Sequence, residues 1–257
     1  MCNLYSHTSN VQAIIDLTRA TRNLVGNLPP QPGIFPDYEA PIVRTGADGV
    51  REVAMVRWGM LSSQLALMEA AKKRAAKLEA KGRPVDFKEL LRLEPDSGTT
   101  NIRNTSSKHW QRWLGTDNRC LVPFASFSEF NKAPGGDVWF ACSEARPLAV
   151  FAGIWTPGWT CVRKMKTGIE TADLFGFLTT EPSEPVASIH PKAMPAIPTG
   201  SKEMDRWMTA RWQDEKALQR PLPDGALQIV ARSAKNDGRQ HMKGPGQRPA
   251  QSDRTQI

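Results

Sequence analysis

Leu148-Ala149-Val150-Phe151-Ala152-Gly153-Ile154-Trp155 is an unbroken apolar run of strand length, and its reading sets the fold. Cys120-Leu121-Val122-Pro123, Val138-Trp139-Phe140-Ala141 and Leu174-Phe175-Gly176-Phe177-Leu178 repeat the pattern on either side of it. β-branched and aromatic side chains suit a pleated, packed surface, and glycine and proline turns separate the runs. Residues 119–180 therefore read as successive β-strands.

Working outward, Ile42 to Arg44 and Val53 to Trp58 read as two more strands around a turn at Gly46-Ala47-Asp48-Gly49. Before them, Val11, Ile14, Ile15 and Leu17 give residues 11–25 the spacing of a short amphipathic helix. Pro29, Pro30, Pro32, Pro36 and Pro41 keep the intervening segment extended, because proline fixes φ and lacks an N–H. Residues 62–93 differ in kind. Leu65, Leu67, Met68, Ala71 and Leu78, laced with Lys and Arg, give a helical pattern that breaks at Gly82 and Pro84, and a second short helix fits residues 86–92. This segment is a solvated face, with contact to a phosphate backbone as its alternative role. Residues 201–218 read as a helix carrying Met204, Trp207, Met208 and Trp212, and Leu227 to Ala231 as a last strand. Beyond residue 234 the chain is polar, rich in Gly, Pro and Gln, with charge 5 − 2 = +3, and is expected to be disordered. The expected organisation is one α+β domain over residues 2–233, a helical insertion at 62–96 and a basic tail over 234–257.

A chain of 257 residues can bury a sizeable core. No apolar run approaches the ~18 residues of a membrane span, and the first twenty residues lack the basic flank and apolar stretch of a secretory signal. Cys2, Cys120, Cys142 and Cys161 form no C-x-x-C pair and no zinc-ligand spacing, which fits reduced thiols in the cytoplasm. Net charge is 34 − 26 = +8, with a sequence pI near 9.5. Such a balance favours polyanions, nucleic acid first among them. The eight tryptophans offer stacking surfaces for unpaired bases, although most belong in a core.

Four places carry groups suited to chemistry. Cys2 follows the initiator methionine, so methionine removal leaves an α-amine and a thiol on adjacent carbons, a 1,2-aminothiol. The amine is partly unprotonated near neutral pH, and the pair can close on an aldehyde as a thiazolidine. The alternative is a small apolar residue in an N-terminal strand. In Thr100-Asn101-Ile102-Arg103-Asn104-Thr105, Asn101 and Arg103 share one side of an extended segment and can hold an oxygen-rich ligand, or the Asn side chains simply stabilise a turn. Glu129, within Phe127-Ser128-Glu129-Phe130, is either a surface glutamate on an edge strand or a buried acid with a raised pKa suited to proton transfer. His190 stands between Ile189 and Pro191 in a loop stiffened further by Pro195, as a proton-transfer group or a structural histidine. His7, His109 and His241 have no such setting, and His109 and Trp110 read as packing or contact residues.

Taken in order, Met1-Cys2, Trp58-Gly59, Asn101-Ile102-Arg103, Arg119-Cys120-Leu121-Val122-Pro123 leading to Phe127-Ser128-Glu129-Phe130, Phe151-Ala152-Gly153-Ile154-Trp155, Leu178-Thr179-Thr180 and Ile189-His190-Pro191-Lys192-Ala193-Met194-Pro195 resemble the SOS-response-associated peptidase (SRAP) family. The resemblance runs from Cys2 to about Ala231. It implies a curved, mainly antiparallel, barrel-like sheet flanked by helices. It also implies a DNA-damage function: covalent capture of abasic sites in single-stranded DNA by Cys2, with weak lyase, self-reversal and autoproteolytic peptidase activities. On that basis Asn101 would orient the ring-opened sugar, Glu129 would move protons, His190 would act as acid or base at the sugar, and Arg103 would hold a phosphate. Thr179 would line the pocket, and Trp58 would stack on a neighbouring base. No cofactor, metal or membrane is implied, and the expected protein is a nucleoid-associated monomer. Three features depart from the family pattern: Asn3-Leu4 follows Cys2 where many members have Gly-Arg, Phe130 stands where tryptophan is frequent, and the 62–96 stretch is longer than the usual connection between Trp58-Gly59 and the Asn-x-Arg motif. The competing class is an N-terminal-nucleophile amidohydrolase or peptidase, which would turn over peptides without DNA.

Overall fold

The computed structural model describes residues 2–132 and 135–232; the expected disordered tail, 234–257, lies outside them. The strands are β1 (Leu4–His7), β2 (Arg22–Asn23), β3 (Gln31–Ile34), β4 (Glu39–Thr45), β5 (Arg51–Trp58), β6 (Asn101–Ile102), β7 (Arg119–Phe124), β8 (Ser126–Asn131), β9 (Gly136–Ala141), β10 (Ala149–Val162), β11 (Ile169–Thr180), β12 (Met194–Pro195) and β13 (Gln228–Arg232). The helices are α1 (Val11–Thr18), α2 (Gln64–Glu79), α3 (Phe87–Arg92), α4 (Lys108–Gln111), α5 (Ser201–Thr209) and α6 (Trp212–Glu215).

The architecture is α+β. β5, β4, β7, β10 and β11 pair antiparallel in that order, and β11 then returns to β5 in parallel, Leu174 opposite Arg57 and Phe175 opposite Trp58. This last pairing closes a five-stranded barrel. A second, antiparallel sheet runs β13-β9-β8-β1-β3.

Alternation along the strands explains why the apolar runs are continuous rather than half polar: both faces are covered. One face brings Ile42, Val56, Trp58, Val122, Phe124, Phe151, Phe175 and Phe177 against Tyr5, Phe127 and Phe140 of the second sheet. Phe124 and Phe151 stack with centroids 3.9 Å apart and planes 6° from parallel. The other face brings Val43, Val53, Leu121, Val150, Ile154 and Leu174 under Ile14 of α1, Trp110 of α4 and Met204, Trp207 and Met208 of α5. Gly153 of β10 is packed tightly between β7 and β11. A Cβ there would lie 2.8 Å from Cys120 Sγ and 3.0 Å from Gly176 O.

Two helices are shorter than their sequence patterns. The first ends at Thr18 rather than running to residue 25, because Arg22 and Asn23 are recruited as β2 beside β5 and the Thr18 carbonyl accepts from Arg51 Nη1 at 2.7 Å. The segment 201–218 is interrupted after Thr209. The fully buried Arg119 guanidinium takes the carbonyls of Trp207 and Ala210, both at 2.7 Å, and that of Leu114 at 3.1 Å. It also lies 4.7 Å over the Trp207 ring.

Candidate active site

The site assembles where the N-terminal strand, β8, the β11 edge and the 186–195 loop meet. β1 is buried along its length between β3 and β8, in register Leu4 opposite Ser128 and Tyr5 opposite Phe127. That pairing draws the residues before it inside, so Cys2 is only 1 % exposed. Its thiol donates to Leu4 O at 3.5 Å. Burial, with the Glu129 charge adding to it, holds the thiol well above its ordinary value, so it stays protonated.

Asn101 fixes Cys2 from the other side. β6 lies parallel to β11, Asn101 opposite Phe177, and Asn101 Nδ2 donates to the Cys2 carbonyl at 2.7 Å. The same amide group reaches Thr100 Oγ1 at 2.8 Å, and that hydroxyl donates to Asn3 Oδ1 at 3.3 Å. Asn101 Oδ1 is buried with no hydrogen-bond partner among the described residues, a free acceptor beside Cys2.

Glu129 is 2 % exposed on β8, so of its two sequence readings the buried one holds. Burial raises its carboxyl from the ordinary 4.5 to about 7. His190 Nδ1 stands 4.0 Å from Glu129 Oε2. The histidine is seated by its loop: its N–H donates to Val186 O at 2.8 Å, and Nδ1 faces the Ala193 backbone at 3.2–3.3 Å. Partial burial lowers its pKa from 6.5, which keeps the ring neutral near pH 7. A carboxyl that titrates near neutrality beside a neutral imidazole can both give and take a proton.

The remaining expected residues divide. Thr179 lies on the same face of β11 as Phe177, 1 % exposed, with its hydroxyl lacking a partner among the described residues. Arg103 is at the rim, 40 % exposed, bound to Glu181 at 2.5 Å and to Lys192 O at 3.2 Å. A phosphate there would have to displace Glu181. Trp58 corrects the sequence expectation. It is fully buried, stacked on Phe177 at 5.4 Å with the edge of Tyr5 at 5.0 Å, and presents no face to a base. Its indole N–H instead donates to Thr100 O at 3.3 Å, steadying the segment that carries Asn101.

Two supporting residues carry little sequence signal. Thr100 lies inside the motif, but its hydroxyl matters only because Asn3 folds back onto it. Gln219 is 116 residues from Arg103, yet its side-chain amide donates to Arg103 O at 2.7 Å and Thr179 O at 2.9 Å. Among the described residues, no cluster of His, Cys, Asp or Glu could hold a metal ion, and no helix is long and apolar enough to cross a membrane.

Solved structures share this fold. One protein from Bordetella bronchiseptica superposes with a TM-score of 0.58 at 18% identity, covering 88% of this chain and 97% of that one. A protein from Bacteroides thetaiotaomicron gives 0.57 at 16%, covering 88% and 90%. A phage-related protein from Bordetella bronchiseptica gives 0.54 at 14%, covering 85% and 87%. At these identities the likeness concerns the fold alone. No curated protein matches the chain. The family model for SOS response associated peptidase (SRAP) matches residues 1–235, and the chain belongs to that family.

Proposed function

We propose that this protein captures abasic sites in single-stranded DNA as a covalent adduct through Cys2, once Met1 has been removed. The observation that carries the reading is one buried cluster: Asn101 donates to the Cys2 carbonyl at 2.7 Å, and Glu129, whose charge acts on the Cys2 thiol, stands 4.0 Å from His190.

The ring-opened abasic sugar offers an aldehyde at C1′. The Cys2 amine adds to it, and loss of one water leaves an imine. The thiol then bonds to the same carbon, its proton passing to the Glu129 carboxylate, and the product is a five-membered thiazolidine. Amine-first order follows from burial: the thiol remains protonated until a cationic imine lowers the cost of its ionisation. Glu129, titrating near pH 7, protonates the departing hydroxyl and can then receive the thiol proton. Asn101 holds Cys2 so that both nucleophilic atoms meet one carbon, and its free Oδ1, with the Thr179 hydroxyl, suits the sugar hydroxyls. The adduct shields the lesion. If the imine persists, elimination of the 3′ phosphate gives weak lyase activity, and protonation by Glu129 reverses ring closure.

The test is an oligonucleotide carrying one abasic site, incubated with wild-type and Cys2→Ser protein and run on a denaturing gel. A shifted band that needs both the wild-type protein and the lesion supports the proposal. If Met1 is gone and no band forms, the proposal fails; Cys2-dependent peptide turnover without DNA would then establish the amidohydrolase class.

A further inference from the structure

The 62–96 insertion is not a loose loop. It leaves the barrel after Trp58 and returns at Asn101 through a neck in which Met60 and Thr99 exchange backbone hydrogen bonds of 3.0 and 2.6 Å. Asp96, 1 % exposed, accepts from the N–H groups of Ser62 and Gly98, both at 2.9 Å. The buried Arg163 guanidinium donates to Asp96 O and Gly59 O across the neck. Gly98 makes this possible: its φ is +78°, and a Cβ there would lie 2.4 Å from Arg163 Nη1. The arm is therefore fixed to the body, and its root lies two residues from Asn101, the residue that holds Cys2.

The stretch from Lys72 to Arg83 within the arm is strongly basic. Between Lys72 and Arg83 stand Lys72, Lys73, Arg74, Lys77, Lys81 and Arg83 against Glu79. Lys72 pairs with Glu69 at 3.2 Å, and Arg74 with Glu94 at 3.4 Å. Lys73, Lys77, Lys81 and Arg83 are exposed, and they make no ion pair among the described residues. Lys73 and Lys77 are four apart on α2, a spacing at which like charges repel and weaken a helix. Among the described residues no carboxylate pairs with either lysine, whereas the phosphates of a polyanion would.

We propose that this arm is a second DNA contact, binding the phosphodiester backbone of the strand outside the Cys2 pocket through Lys73, Lys77, Lys81 and Arg83. The inference rests on DNA being the ligand of that pocket. The rigid neck sets the arm's position relative to the lesion, so its contribution depends on strand length: a short oligonucleotide fills the pocket alone, and a long one reaches the arm.

The experiment compares the wild type with a variant in which all four residues become Gln, and with a second in which the three lysines become Arg. Noncovalent affinity is read by fluorescence anisotropy over a salt series, on undamaged single strands of about 30 and about 6 nucleotides. Each phosphate contact contributes about 0.7 to the slope of log K against log salt on single strands. On the long strand, the Gln variant should lose about 2 to 3 from that slope, and the Arg variant should keep it. On the short strand all three proteins should match. Equal slopes for wild type and Gln variant on the long strand would overturn the inference, as would equal losses on both lengths. Adduct formation on abasic DNA is scored separately: no adduct with the wild type counts against the function proposed for Cys2, while an adduct with unchanged slopes counts against the arm alone.

Discussion

Replacing Glu129 with Gln should make the protein more stable, by an amount that grows with pH. The carboxyl is 2 % exposed, and burial raises its pKa from 4.5 to about 7. Between those values the folded chain holds a proton that the unfolded chain has released, so stability falls as pH rises through that window. Each tenfold change in proton affinity is worth about 1.4 kcal/mol, so the whole interval amounts to about 3 kcal/mol. Gln keeps the shape and does not titrate. Its advantage over wild type should therefore widen by about 2 to 3 kcal/mol between about pH 5 and about pH 8. With a urea slope of about 2 kcal/mol/M, that is a midpoint difference growing by about 1 M. The difference between the proteins is the quantity to plot, because His7 acts in the opposite sense within each curve. Urea unfolding of both proteins at the two pH values is the assay. An advantage that does not change with pH, or a variant weaker than wild type at the higher pH, would refute the reasoning. The same substitution should slow adduct formation, the exchange of stability for activity expected at a working site.

Other substitutions test separate parts of the account. His7 is fully buried, and burial lowers its pKa from 6.5 to about 4. The unfolded chain binds the extra proton between those values, so stability should drop by up to about 3 kcal/mol on acidification through them, and His7→Phe should remove that drop in urea unfolding at about pH 4.5 and pH 7. Asn101→Ala leaves the buried Cys2 carbonyl without its donor and should cost about 1–3 kcal/mol by thermal melting, with the adduct yield falling as well. Gly153→Ala pushes a methyl group against Cys120 Sγ and Gly176 O and should cost about 1–3 kcal/mol without altering the pH dependence of adduct formation.

The strands were legible because their apolar runs are long and broken by glycine and proline, and the short helix after Pro84 because Asp86 caps it with bonds to Lys88 N and Glu89 N. The break after Thr209 was not legible. It is made by Arg119, 88 residues from Trp207 in sequence, and no local pattern announces a buried guanidinium seeking carbonyls. Trp58 misled for a related reason. An indole serves equally as a stacking platform or a core filler, and only the closure of β5 onto β11 decides between them. For Glu129 the sequence left two environments open. The choice depends on β1 and β9 flanking β8, which makes it an interior strand instead of an edge.

The central claim is that both the nitrogen and the sulfur of Cys2 bond to one aldehyde carbon. The most direct measurement is intact mass spectrometry of the denatured adduct after exhaustive thiol alkylation. The account predicts the mass of the chain without Met1 plus the oligonucleotide minus one water, with three of the four cysteines alkylated. An adduct that retains Met1, or one in which all four cysteines alkylate, would contradict it.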